Sequence, residues 1–154
     1  MAAPLTAVLD TSVLVAGDLA VPPGMAARVA SLSWAELRSG LSVPGLAPVK
    51  RVARQARLDR LQKTFGAGLP FDDQAAQSFG FICELVYAAG RQVRGRAVDL
   101  MIAAVAHANS AAVVTANPAD LAGLDGLVEV IQSAPTAPPK PGAGDLRAQF
   151  DHGG

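Results

Sequence analysis

RGRAVDLMIAAVAHANSAAVVTANPAD, residues 94–120, is the stretch whose reading decides the fold. Leu100, Met101, Val105 and Ala108 recur at helical spacing behind Asp99, so its first half reads as a helix with a carboxylate in the first turn. Ala112, Val113 and Val114 then form a short β-prone run, which Thr115, Asn117, Pro118 and Asp120 end with turn chemistry. A helix, a buried strand and a polar turn in that order suit a parallel sheet, and open α/β folds bind ligands at the carboxyl edge of such a sheet. An acid at a helix start and another past a strand end can share that crevice. The remaining acids must then be traced.

Toward the N-terminus, residues 5–9 (LTAVL) read as a fully buried strand that ends at Asp10. Thr11 and Ser12 are helix-capping types, and VLVA continues as an apolar helix to Gly17. Asp10 therefore stands at the carboxyl end of the first strand, either as a helix cap or as a working carboxylate. Residues 28–32 (RVASL) are expected to form a second strand. Ser33-Trp34-Ala35-Glu36 matches a capping box, serine followed three residues later by glutamate, and puts Glu36 in a helix's first turn.

Residues 49–65 read as a helix with Val52, Ala56, Leu61 and Phe65 apolar. Lys50, Arg51, Arg54, Arg57, Arg60 and Lys63 lie on it against the lone acid Asp59, nearly half of the chain's 13 lysines and arginines. Such a run is either a solvated face or a surface for phosphates. Few aromatics interleave with it, so base stacking is not indicated. Asp72 is placed to cap a helix through Ala89, with Phe79, Ile82, Cys83 and Val86 inward and Gly90 as the stop. Residues 127–131 (LVEVI) read as an edge or final strand. Past Ser133 the Pro/Gly-rich PTAPPKPGAGD reads as a flexible tail, which divides the chain into a domain over 1–133 and a tail over 134–154. The alternation of elements predicts an α/β fold, a three-layer α/β/α sandwich on a mostly parallel central sheet.

Composition narrows the chemistry. At 154 residues, 51% hydrophobic and 17% charged, the chain can bury a real core in one domain. Its net charge is zero, so no global field points to nucleic acid or membrane. The single Cys83 excludes an internal disulfide and reads as a buried, reduced thiol, while two histidines give zinc little support. No run approaches the roughly 18 apolar residues that cross a bilayer, and no basic segment precedes the first apolar run. A soluble cytoplasmic protein without membrane partners is expected. There is no phosphate-binding G-x-x-x-x-G-K-[ST] loop and no G-x-S-x-G elbow.

Asp10, Glu36, Asp99 and Asp120 remain, all at helix starts or strand ends. Carboxylates without His or Cys are hard oxygen ligands suited to Mg2+ or Mn2+, and like charges brought together call for a cation. Each acid also has a plain role as a cap or helix-dipole partner. Spacing alone does not decide between these readings.

VLDTSVLVA, SWAEL, GRAVDLMIAAVAHA and VVTANPADL, in this order across about residues 5–131, resemble the PIN domain family, and most closely the VapC toxins of type II toxin–antitoxin pairs. The resemblance implies a Mg2+-dependent endoribonuclease, with Mn2+ as a possible substitute, that hydrolyses phosphodiester bonds in structured RNA such as tRNA or rRNA and inhibits translation. It implies Asp10, Glu36, Asp99 and Asp120 as catalytic acids, with Asp10 and Asp99 holding the metal. Asn117 stands where some members carry aspartate, and Ser12 and Thr115 would contact Asp10 or the metal's water. Arg54, Arg57, Arg94 and Arg96 are expected to steer RNA. The expected partners are a VapB-type antitoxin lying across the site and a second copy in a homodimer. The alternatives are a catalytically silent PIN-fold regulatory module, or a PIN nuclease acting on DNA or in RNA processing.

Overall fold

The structure, a computed structural model, describes residues 4–133. Four strands, β1 (Thr6–Leu9), β2 (Ala26–Val29), β3 (Ala112–Thr115) and β4 (Val130–Gln132), form one sheet in the order β2-β1-β3-β4. Every pairing among them is parallel, so the expected mostly parallel sheet is wholly parallel over the described residues. Leu9 pairs with both Val29 and Val114, and Thr115 pairs with Gln132, which sets the carboxyl ends of the strands along one edge. Helices α1 (Thr11–Ala16), α2 (Ser31–Ser39), α3 (Pro48–Phe65), α4 (Asp73–Ala88) and α5 (Ala97–Ala108), with a 3-10 turn at Pro118–Leu121, make the connections.

Parallel strands need crossovers, and crossovers put helices on the sheet's faces. Alternation along β1 divides the core accordingly. Ala7 and Leu9 pack with Val13, Leu14, Trp34, Leu58 and Leu61 from α1, α2 and α3. Val8 points the other way, to Ile82, Val86, Leu100, Ile102 and Val105 of α4 and α5. The result is the three-layer sandwich expected from the sequence. In α5, Leu100 and residues 102–106 are all buried, because the helix is enclosed by the sheet on one side and α4 on the other. Each fully buried leucine or isoleucine there is worth ~1.5–3 kcal/mol relative to exposure.

Both long helices on this side stop in the same way. After α4, Gly90 takes φ +72 and Arg91 N–H donates to the Val86 carbonyl at 3.0 Å, the stop expected from the sequence. After α5, Ser110 takes φ +52 and Ala111 N–H donates to Ala106 at 2.8 Å, so a serine occupies a left-handed position that favours glycine. Asp72 caps α4 as expected, accepting from Ala75 N–H at 3.0 Å.

Several expected boundaries shift. The second strand is Ala26–Val29 rather than 28–32, because Ser31 already begins α2. The capping box does not form: the N-cap is Ala30, without a side-chain bond, and Ser33 lies fully buried inside the helix. Glu36 therefore belongs to the second turn of α2, not the first. The last strand is Val130–Gln132 rather than 127–131; Leu127 and Val128 instead close a turn back onto the Leu124 carbonyl. On α3 the inward residues are Leu58 and Leu61, while Val52, expected on the apolar side, is 70% exposed. Cys83 is only half-buried, and partial desolvation still pushes its thiol pKa up. The segment around Gly68 extends the sheet past β2, where Ala30 bridges Leu69 and Ser31 N–H donates to the Leu69 carbonyl at 2.9 Å. A Cβ on Gly68 would stand 2.6 Å from the Ser31 nitrogen, so only glycine permits this approach. No helix among the described residues is long and apolar enough to cross a membrane. The expected tail, 134–154, lies outside the described residues.

Candidate active site

The site begins where β1 ends. Asp10 is the N-cap of α1 and only 3% exposed. Its Oδ1 accepts from Thr11 N–H at 2.8 Å, and its Oδ2 accepts from the Ser12 hydroxyl at 2.9 Å and the Thr115 hydroxyl at 3.0 Å. Thr115 closes β3, the neighbouring strand, and is fully buried. Parallel pairing of β1 with β3 therefore places the carboxylate beside a hydroxyl 105 positions along the chain. The two hydroxyls are themselves held: Ala116 N–H donates to Ser12 Oγ at 3.2 Å, and Asn117 N–H to Thr115 Oγ1 at 3.1 Å. A carboxylate offers about four acceptor positions, and these donors leave one on Oδ1 for a further ligand.

Glu36 reaches the same place from α2 through Thr11, whose hydroxyl donates to Oε1 at 2.6 Å. Ser33 Oγ lies 2.9 Å from that hydroxyl oxygen. A threonine hydroxyl has a single proton and an ionised glutamate only accepts, so Thr11 gives its proton to Glu36 and receives that of Ser33. Thr11 and Ser33 are site residues that the sequence reading passed over as helix-capping types. A hydroxyl beside a strand-end aspartate was the available signal. The contact with Glu36 depends on where α2 packs, which no local pattern reveals.

Asp99 lies half-buried in the first turn of α5. A helix joined to the next parallel strand by a short turn runs antiparallel to that strand, so the start of α5 lies at the sheet's carboxyl edge, the edge that carries Asp10. Asp120 is in the 3-10 turn after β3, and Arg96, the N-cap residue of α5, donates to its backbone carbonyl at 3.4 Å. Arg91 donates to the neighbouring Ala119 carbonyl at 3.1 Å, so the loop before α5 grips this turn. The side chain of Asn117 is exposed. Among the described residues no group of three Asp, Glu, His or Cys side chains is close enough to enclose a metal on its own. Mg2+ does not need such a cage, since it keeps several waters and takes one or two carboxylates together with substrate phosphates. Hard oxygens, the spare position on Asp10 and a second carboxylate reaching Thr11 fit that mode of binding.

Beside Glu36 opens a cavity of about 40 Å³, lined by Thr11, Val15, Glu36, Leu37, Arg54 and Arg57 among others. Arg54 Nη1 donates to the Gly40 carbonyl at 2.7 Å, at the C-terminus of α2 where a cation is favoured. Arg54 and Arg57 are half-buried and line this cavity with Glu36, while Lys50, Arg51, Arg60 and Lys63 of the same helix are exposed. In the loop before α5, Arg94 is exposed and Arg96 is half-buried.

The chain resembles solved structures along nearly the whole fold. A member of the VapBC family of toxin–antitoxin systems from Mycobacterium tuberculosis, VapBC-5, is 36% identical, with 84% of this chain and 99% of that chain covered and a TM-score of 0.70. This chain belongs to the PIN-domain VapC toxin family. DNA-bound VapBC from Salmonella typhimurium (22% identity, 84% and 99% covered, TM-score 0.64) and FitAcB from Neisseria gonorrhoeae (24%, 81% and 96%, 0.62) share the fold. No protein-family model and no curated protein matches the chain. In this VapC-family chain the strand-end aspartate is buried and the α2 glutamate is tied to it through Thr11.

Proposed function

We propose that this VapC-family chain is a Mg2+-dependent endoribonuclease that cuts structured RNA, tRNA or rRNA, at few positions and so inhibits translation. The observation that carries the reading is the buried Asp10 carboxylate, with an acceptor position to spare and Glu36 reaching the same threonine, at the carboxyl edge of the sheet. Asp10 and Asp99 would hold the ion, and Glu36 would complete the cluster through water. When bound, the cation supplies Lewis acidity and neutralises charge developing on the phosphodiester. Ser12 and Thr115 keep the Asp10 carboxylate fixed, so its orientation costs nothing at the moment of reaction. Asp120, held through its backbone by Arg96, is the fourth acid of the set, and Asn117 is a neutral neighbour. Arg54 and Arg57 beside Glu36, with exposed Arg94, supply positive charge for RNA phosphates. A VapB-type antitoxin is the proposed partner, which kinship to a VapBC pair supports, and a homodimer is the proposed assembly.

The test incubates antitoxin-free protein with total bacterial RNA in Mg2+, Mn2+ or EDTA and maps new 5′ ends by sequencing. Discrete, metal-dependent ends that are absent with Asp99→Ala are expected. Identical maps for wild type and Asp99→Ala would contradict the reading and favour a DNA substrate or a silent PIN module.

A further inference from the structure

We infer that Thr11 is a positioning residue that couples Glu36 to Asp10 and sets the affinity of the site for a divalent cation. The inference rests on the proposed reading of these two acids as metal-site residues. Two carboxylates that serve one cation repel each other before it arrives. Thr11 offsets this repulsion by giving a donor to each: its backbone N–H to Asp10 Oδ1 at 2.8 Å, and its hydroxyl to Glu36 Oε1 at 2.6 Å.

The arrangement is directional. Ser33, fully buried on α2, lies 2.9 Å from the Thr11 oxygen, and with the Thr11 proton committed to Glu36, Ser33 must donate to Thr11. Ser33 and Glu36 are one turn apart on the same helix, so the threonine is gripped from two levels of α2. A glutamate on an open surface samples many rotamers, and freezing it costs side-chain entropy. Here part of that cost is met before any ligand binds. The partner of a ligand side chain commonly matters nearly as much as the ligand, with losses of ~10–100-fold in metal affinity when it is removed.

The test uses the full chain and reads Mn2+ affinity by calorimetry and by the Mn2+ EPR signal, with the Mg2+ midpoint for RNA cleavage measured in parallel. Thr11→Val keeps the shape and removes the hydroxyl, and the Mn2+ dissociation constant is expected to rise by about tenfold or more. Thr11→Ser restores the hydroxyl and should recover most of the affinity. Thr11→Val alone strands a buried Ser33 hydroxyl, so Thr11→Val with Ser33→Ala provides a folded comparison from which both partners are gone. It should bind Mn2+ as weakly as the single variant. Wild-type Mn2+ affinity in Thr11→Val, or failure of Thr11→Ser to rescue, would overturn the inference. Asp10→Asn separates the two levels of the claim: if wild type binds no Mn2+, or binds it no better than Asp10→Asn, the metal reading itself fails.

Discussion

In the interior of the two helical layers the buried core is almost entirely hydrocarbon, whereas at the carboxyl edge of the sheet it is interrupted by Asp10, Ser33 and Thr115. The buried polar side chain of the interior, Ser78, lies 2.7 Å from His107 Nδ1 and is satisfied there. The α1–α3 layer tolerates a buried Trp34 indole N–H with no partner among the described residues. Burying polar groups is costly unless they are paired, so a fold places them where they are used. The comparison separates two tasks. The apolar interior of α4 and α5 holds the sheet rigid, and the strand ends and helix starts at its carboxyl edge, the first turn of α5 included, carry the chemistry.

That division can be broken most sharply at Asp10. Asp10→Asn should lower metal-dependent RNA cleavage by more than about a hundredfold, beyond the range typical of residues that only support a ligand. Its circular dichroism spectrum should remain that of the folded chain. Ile102→Ala, in the apolar interior, should do the reverse: a loss of ~2–5 kcal/mol in urea unfolding, with unchanged activity per folded molecule.

Gly68→Ala tests the joint between the interior and the edge. Its Cβ would press on the Ser31 backbone at 2.6 Å and displace the start of α2, which carries Glu36. Both stability, by ~1–3 kcal/mol, and activity should fall. Arg54→Glu with Arg57→Glu should weaken RNA binding and make its dependence on log salt shallower by up to about two units, read by filter binding across a salt series. An unchanged slope would remove both arginines from the RNA surface. The smallest effect belongs to Ser110→Gly, which relieves a left-handed serine and should stabilise the fold by ~0.5–1 kcal/mol in the same urea assay.

The sequence disclosed the apolar interior better than the contacts at the carboxyl edge. α5 and β3 were legible because burial repeats at a fixed period, and the stop after α4 because Gly90 takes a conformation that few residues adopt. β2 and β4 were displaced because edge strands are half-exposed and their weak alternation blends into the turns beside them. At the site, Asp10 was legible from its address after a strand. Ser33 and Glu36 were misread together, since their spacing imitates a capping box that a shift of the helix start to Ser31 dissolves. Thr11 was invisible as a partner of Glu36 because the two meet only through packing of α1 against α2.

The central claim, that the polar carboxyl edge is a divalent-metal site, is tested most directly by a crystal structure grown with Mn2+ and recorded at a wavelength where Mn2+ scatters anomalously. The account predicts an anomalous peak at about 2.1 Å from a carboxylate oxygen of Asp10, with Asp99 as the second protein ligand and Glu36 still bonded to Thr11. No peak at Asp10 at millimolar Mn2+, or a peak held by other residues, would contradict it.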